Sequence, residues 1–274
     1  MKPHVIAAGC FAVALLFVPV HADEPKADKE QPVNEISLEV QALRTFHNFK
    51  LTDEQLKMAA KFAKETADPP RKRTAAKVND EYRKTLTNLR AALIAADDDD
   101  KIGDLEEELD QITDKEKPKL DDSFDITKAA RKRTPEIIKS LTVTQLATYY
   151  GSIAEDVHDP VAQLTEALEE VRGLEKKEWT DKRDEIADDV AWAVAGTDAT
   201  ASDKVRDKVT ALLGKTHELS KDDFKAKKAD LEKEAKAIAG DVGPDTLLRH
   251  YAEHSVADML SNPRLEVAVK ARMK

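Results

Sequence analysis

The chain has 274 residues, of which 44 are Lys or Arg and 54 are Asp or Glu, so its formal net charge at pH 7 is −10. Charged residues make up 36% of the chain, against roughly 25% in an average domain. Its eight glycines leave few positions for tight β-turns or phosphate-binding loops. This composition favours an all-α protein and argues against a β-sandwich, a Rossmann domain and a disulfide-linked scaffold. The acidic balance also argues against nucleic acid as a partner, because binding to phosphates depends on Lys and Arg.

The first 22 residues have the pattern of a signal peptide. Lys2 precedes an almost unbroken apolar run from Val5 to Val20, and Ala22 offers the small residue expected at a cleavage site. The run is shorter than the roughly 20 residues that span a bilayer. We therefore expect residues 1–22 to be removed and the mature protein to be periplasmic or secreted, without stable insertion in a membrane. Two alternatives stay open, an uncleaved anchor and a lipoprotein acylated at Cys10.

The rest of the chain is predicted to be a helical array. Residues 23–35 are polar and carry two prolines, which is typical of a flexible leader. From residue 36 onwards apolar residues recur every three or four positions, as on the buried face of a helix. We predict helical unit 1 at residues 36–140, helical unit 2 at 141–240 and a C-terminal helical half-unit at 241–274. The expected fold is an elongated array of antiparallel helical hairpins, built from two divergent four-helix units.

Several element boundaries follow from the pattern. The acidic run from Asp97 to Lys101 separates two apolar stripes and predicts a break between two helices. The longest helix is predicted over residues 161–195, with Gly196 as its stop. Helices are also predicted over residues 202–219, over 220–239 with Gly240 as the stop, and over 244–260.

A six-residue helix-entry motif occurs twice, ninety positions apart. Thr at the N-cap can accept a hydrogen bond from the third helical amide while Gln reaches back to the N-cap amide, which together form a capping box. The flanking leucines can close a hydrophobic staple over the first turn. The residues concerned are Leu51, Thr52, Gln55 and Leu56 in the first copy, and Leu141, Thr142, Gln145 and Leu146 in the second.

With these motifs the chain resembles the LTxxQ-motif family of periplasmic proteins, which is typified by Spy and CpxP. The resemblance rests on Leu51, Thr52 and Gln55 and on Leu141, Thr142 and Gln145, together with the export signal and the helical pattern. It implies an ATP-independent periplasmic chaperone or envelope-stress adaptor that forms a cradle-like helical dimer. It also implies that some relatives bind or sense metal ions.

Candidate chemistry is sparse along the chain. The string from His250 to His254 has the form H-x-x-E-H, which on a helix would place two imidazoles one turn apart and could hold a metal with help from another helix. A peptidase of this pattern would need a further ligand downstream, for which Glu266 is a candidate carboxylate. Asp97 to Asp100 could attract calcium, but the spacing differs from that of an EF-hand loop. We predict no catalytic residue, no cofactor and no enzymatic activity.

The leading hypothesis is therefore an exported, non-enzymatic helical interaction protein that binds protein partners or unfolded clients, with a dimer as one possible oligomeric state. A structural scaffold of the cell envelope is the first alternative. A metal-binding protein that uses His250 and His254 is the second. A concave apolar surface would favour the chaperone, and a wholly charged surface would favour the scaffold.

Overall fold

The structure is a computed structural model that describes residues 31–154 and 157–274, apart from the side chains at 176 and 177. The predicted signal peptide with Cys10 and most of the predicted leader lie outside these residues. The described part is all-α and contains no strand, as the composition and periodicity predict. Its helices are α1 (Val33–Asn48), α2 (Asp53–Thr66), α3 (Asp80–Ala95), α4 (Asp99–Glu116), α5 (Lys128–Ser140), α6 (Val143–Ile153), α7 (Pro160–Glu170), α8 (Lys176–Ala195), α9 (Ala199–His217), α10 (Lys221–Ala239), α11 (Pro244–Ser261) and α12 (Leu265–Arg272).

Short polar side chains begin most of these helices. Each accepts a hydrogen bond from a backbone amide of the first turn and so satisfies a donor that the helix itself leaves unpaired. The N-cap residues that do this are Thr52, Asn79, Asp98, Thr127, Thr142, Asp159, Asp198 and Ser220. Gly196 and Gly240 end α8 and α10 with φ of 53° and 70°, a left-handed region that suits glycine.

The prediction of one long helix over residues 161–195 is wrong. Helix α7 ends at Glu170, a single 3-10 turn follows at Val171–Gly173, and α8 begins only at Lys176. Leu174 has extended backbone at the break, and the ring of His217 lies within hydrogen-bond distance of its carbonyl oxygen, at 3.2 Å. The break lets α7 fold back against α8, so that Leu168 and Val190 reach the same core. The apolar stripe before the break therefore belongs to α7 and the 3-10 turn alone.

The predicted leader also differs from the structure at its end. Helix α1 begins at Val33, with Pro32 at its N-cap. The side chains of Val33 and Asn34 are buried, and Asn34 donates from Nδ2 to the carbonyl oxygen of Thr74 at 2.7 Å. Residues 33–35 are therefore part of the folded helix.

Two hydrophobic cores hold the described helices together. The first core contains side chains from α1 to α6 and from α11 and α12. The second contains side chains from α7 to α10. Helix α6 and the C-terminal helices thus pack with the beginning of the chain, across the limits of the units proposed from the sequence. The physical reason is that the second motif, at residues 141–146, packs against the first.

Helix α11 touches both groups of helices. It packs against α5, α2 and α1 of the first group and against α8 of the second. Polar contacts also fix its C-terminal end, because the buried Asn262 donates from Nδ2 to the carbonyl oxygen of Leu38 at 2.8 Å. The junction of α8 with α11 is therefore where the two cores meet.

Candidate functional site

Both copies of the helix-entry motif form a complete capping box. Thr52 Oγ1 accepts from the amide of Gln55 at 3.4 Å, and Gln55 Oε1 accepts from the amide of Thr52 at 2.8 Å. In the second copy the corresponding distances between Thr142 and Gln145 are 3.2 and 2.9 Å. Each motif therefore begins a helix, α2 and α6 respectively.

The two glutamines also bind each other. Gln55 Nε2 donates to Gln145 Oε1 at 3.1 Å, and Gln145 Nε2 donates to Gln55 Oε1 at 2.9 Å. Each amide group further donates to the carbonyl oxygen just before the other motif. Gln55 donates to Ser140 at 2.7 Å, and Gln145 donates to Lys50 at 2.9 Å. We call this buried pair, Gln55 and Gln145, the glutamine clasp.

The leucines of the motif pack into the first core. Leu56 and Leu141 are buried, and Leu51 and Leu146 are partly buried against the same core. Beside the clasp, the rings of Phe49 and Tyr149 stack with centroids 4.0 Å apart. The motif residues that face inward are thus occupied in holding α2 and α6 together.

His250 and His254 lie at the junction of the two cores, where they line a cavity of about 240 Å³. The walls come from α8, α11, α7 and the connection that precedes α7. The lining residues are His158, Gln163, Asp189, Trp192, Ala193, His250, Tyr251 and His254. We call this cavity the junction pocket.

His250 attaches α11 to the end of α8. Its Nδ1 lies 2.9 Å from the carbonyl oxygen of Ala193, and because a carbonyl only accepts, Nδ1 carries the proton. A Cβ on Gly196 would lie 2.5 Å from His250 Cδ2 and 2.7 Å from Glu253 Oε2, so only glycine fits there. Glu253 completes the contact by accepting from the amide of Thr197 at 3.2 Å. His250 thus has a structural role in this packing.

His254 is held as a neutral ring. It meets the ring of Trp192 edge-on with centroids 4.8 Å apart. Burial, and then the nearby charge of Arg131, lower the pKa of His254 to about 4. The Arg131 guanidinium itself lies 4.0 Å from the Trp192 ring centroid. At neutral pH the imidazole therefore carries no charge.

The arrangement does not assemble the ligands that a metal ion would need. No group of three or more His, Cys, Asp or Glu side chains in the described chain is placed to hold one. Glu266, the downstream candidate for the zinc-peptidase pattern, pairs instead with Lys270 at 2.7 Å on the exposed side of α12. Carboxylates of the acidic run from Asp97 to Asp100 also have other partners. Asp98 caps α4, and Asp99 pairs with Lys50 at 2.6 Å.

Sequence reasoning did not find the pocket. Asp189 and Trp192 lie on α8, whereas Tyr251 lies on α11, 59 positions after Trp192, so no local spacing indicates that these side chains meet. Trp192 is buried, and Trp179 stacks on His217 with centroids 4.4 Å apart.

The surface offers few large apolar groups. Among the described residues the exposed large hydrophobic side chains are Val143, at 85% exposure, and Met273, at 38%. Helix α6, which begins with Val143, is the one described α-helix without a charged residue. In the described chain, no helix combines the length and apolar character needed to cross a bilayer.

Comparison with known proteins gives no relative. No family model, no curated protein and no solved structure matches this chain.

Proposed function

We propose that this protein is an exported, non-enzymatic helical adaptor that holds one protein partner in the cell envelope. The observation that carries the proposal is the uncharged, exposed face of α6 on a chain in which 36% of residues are charged. The apolar N-terminal run after Lys2, which lies outside the described residues, supports export. The resemblance to LTxxQ-motif periplasmic proteins supports the adaptor class.

The surface favours an adaptor over a chaperone that buries many clients. A client-burying surface needs a sizeable apolar patch, and the described residues expose only Val143 and Met273 among their large apolar side chains. The motif residues cannot supply that patch either, because Gln55, Gln145 and Leu56 are buried in the first core.

The face of α6 suits close contact with a helix of a partner. Val143, Ala147 and Gly151 are exposed and repeat every four residues, which places them along one ridge of the helix. Nothing lies within 4 Å of the position that a Cβ on Gly151 would occupy. A partner helix with an uncharged face could approach this ridge without burying an unpaired charge.

Affinity capture from envelope extract tests the proposal with a matched pair of variants. Ala147→Glu introduces one charge on the α6 face, and Ala237→Glu introduces the same charge at an exposed position of α10. We expect wild type and Ala237→Glu to retain the same single protein at near-equal stoichiometry, and Ala147→Glu to lose at least about 90% of it. Equal capture by both variants, or capture of many proteins without a fixed stoichiometry, would contradict the proposal.

A client assay separates the adaptor from the chaperone. An unfolded client is allowed to aggregate in the presence of substoichiometric and equimolar protein. We expect no suppression at either ratio, because the surface has no extended apolar patch. Suppression at substoichiometric ratios would favour the chaperone instead.

A further inference from the structure

The junction pocket has the dimensions of a site for a small molecule. Its volume of about 240 Å³ lies just below the roughly 300–1,000 Å³ of pockets that hold drug-sized ligands. It also lies where two packed groups of helices meet, which is a common place for ligand sites. A compound of one ring and a short polar arm is the appropriate size.

Several polar groups in its wall are not engaged with other described residues. Neither ring nitrogen of His254 is hydrogen bonded within the described chain, and its ring meets that of Trp192 edge-on. Gln163 Oε1 is buried and has no hydrogen-bond partner among the residues that the structure describes. A wall with unengaged donors and acceptors beside an aromatic ring is typical of a binding site rather than of a packing defect.

The charge of the pocket favours a cation. Asp189 lines it and forms no ion pair with a described residue, whereas the neighbouring Glu185 and Asp188 pair with Lys182 at 3.8 Å and with Arg206 at 2.9 Å. Burial, and then these two carboxylates, raise the pKa of Asp189 above its ordinary value, so a bound cation would stabilise the ionised form. Burial, and then the charge of Asp189, also raise the pKa of the Tyr251 hydroxyl, which lines the same pocket.

Positive groups are absent from the pocket wall as described. No Lys or Arg is among the lining residues, and His254 is neutral. Two guanidinium groups lie near the wall, and both have other partners. That of Arg131 lies over the Trp192 ring and within 3.5 Å of the carbonyl oxygen of Gly196, and that of Arg249 lies 3.5 Å from His250 Nε2 and 3.7 Å from Glu253 Oε1. An anionic ligand would therefore meet repulsion without a compensating partner.

We propose that the junction pocket binds a small organic ammonium compound, with its cationic group toward Asp189 and its apolar part against Trp192 and Tyr251. His254 and Gln163 supply hydrogen-bonding groups that select the orientation. The inference is independent of the adaptor function, because the pocket and the face of α6 are formed by different residues.

Fluorescence of Trp192 reports on binding directly. The chain has two tryptophans, so a Trp179→Phe background leaves Trp192 as the sole emitter. Three probes of nearly the same shape are titrated: benzylamine, which is cationic, benzyl alcohol, which is neutral, and benzoate, which is anionic. We expect a saturable change with benzylamine, a weaker one with benzyl alcohol and none with benzoate.

A matched pair of charge variants locates the cation. Asp189→Asn removes the carboxylate in the pocket, and Asp181→Asn removes one that is exposed on the same helix, two turns away. We expect Asp189→Asn to weaken benzylamine at least about tenfold and Asp181→Asn to leave it unchanged. If Asp189→Asn does not fold, the titration of the Trp179→Phe protein with the three probes still tests the proposal. Benzoate binding as well as benzylamine, no saturation with benzylamine below about 10 mM, or equal affinity in the folded variants would overturn the proposal.

Discussion

His254 and Asp258 lie one turn apart on α11, and burial shifts their pKa values in opposite directions. Burial, and then Arg131, lower the pKa of His254 to about 4, so folding favours the neutral ring. Burial alone raises the pKa of Asp258 to about 6, so folding favours the protonated carboxyl. The contribution of the neutral His254 ring to stability is therefore lost as the pH falls from 6.5 towards 4. The Asp258 carboxyl instead destabilises the folded protein increasingly as the pH rises from about 4 to about 6, and this cost persists at higher pH.

Asp258→Asn is predicted to stabilise the protein at neutral pH. The amide needs no proton to be neutral, so the variant avoids the cost of ionising a carboxyl whose pKa is raised from 3.8 to about 6, which is about 3 kcal/mol. We expect a higher midpoint of thermal unfolding at pH 7.5 and no difference from wild type at pH 4, as measured by circular dichroism. Asp230→Asn, at an exposed position of α10, is the control and should change neither midpoint. A gain of equal size at both pH values would show that the carboxyl's ionisation is not the cause.

At the scale of helices, the glutamine clasp joins two helix beginnings into one unit. Each glutamine caps its own helix and also binds the carbonyl oxygen that precedes the other motif. Loss of one side chain therefore leaves buried groups of both motifs without a partner, which costs about 1–3 kcal/mol. The two copies act as one structural element rather than as two separate caps.

Gln55→Ala and Gln145→Ala are predicted to be non-additive. We expect each single variant to lose about 2 kcal/mol of unfolding free energy in urea, and the double variant to lose about 1 kcal/mol less than the sum. Gln111→Ala, on the exposed side of α4, is the control and should stay within about 0.5 kcal/mol of wild type. Losses that add within about 0.3 kcal/mol would mean that the glutamines act independently.

Local signals predicted the helices, and distant contacts explain what was missed. Thr52 and Gln55 lie three residues apart, so their capping box could be inferred from the sequence. The bond from Gln55 to Gln145 joins residues ninety positions apart, and no periodicity indicates which helices meet. The break after Glu170 likewise has no local signal in the sequence. There the apolar stripe continues through Val171, while the contact of Leu174 with His217, which accompanies the break, lies 43 positions away.

At the scale of the whole described chain, the packing buries nearly all large apolar side chains and leaves a charged exterior. The first core takes in the beginning and the end of the described chain, and α11 joins it to the second through α8. Charge on the exterior keeps the protein soluble and opposes non-specific association. Because the exterior is otherwise charged, the uncharged helix α6 makes one surface different from the rest.

Site-specific photo-crosslinking in the cells that produce the protein tests the central claim, that α6 is the docking face for one partner. A photoreactive phenylalanine analogue replaces Ala147 on α6 or, as the control, Ala237 on α10, both of which are exposed. The adaptor account predicts one adduct of defined mass from position 147 and none from position 237. A ladder of many adducts from both positions, or an adduct from position 237 alone, would contradict it.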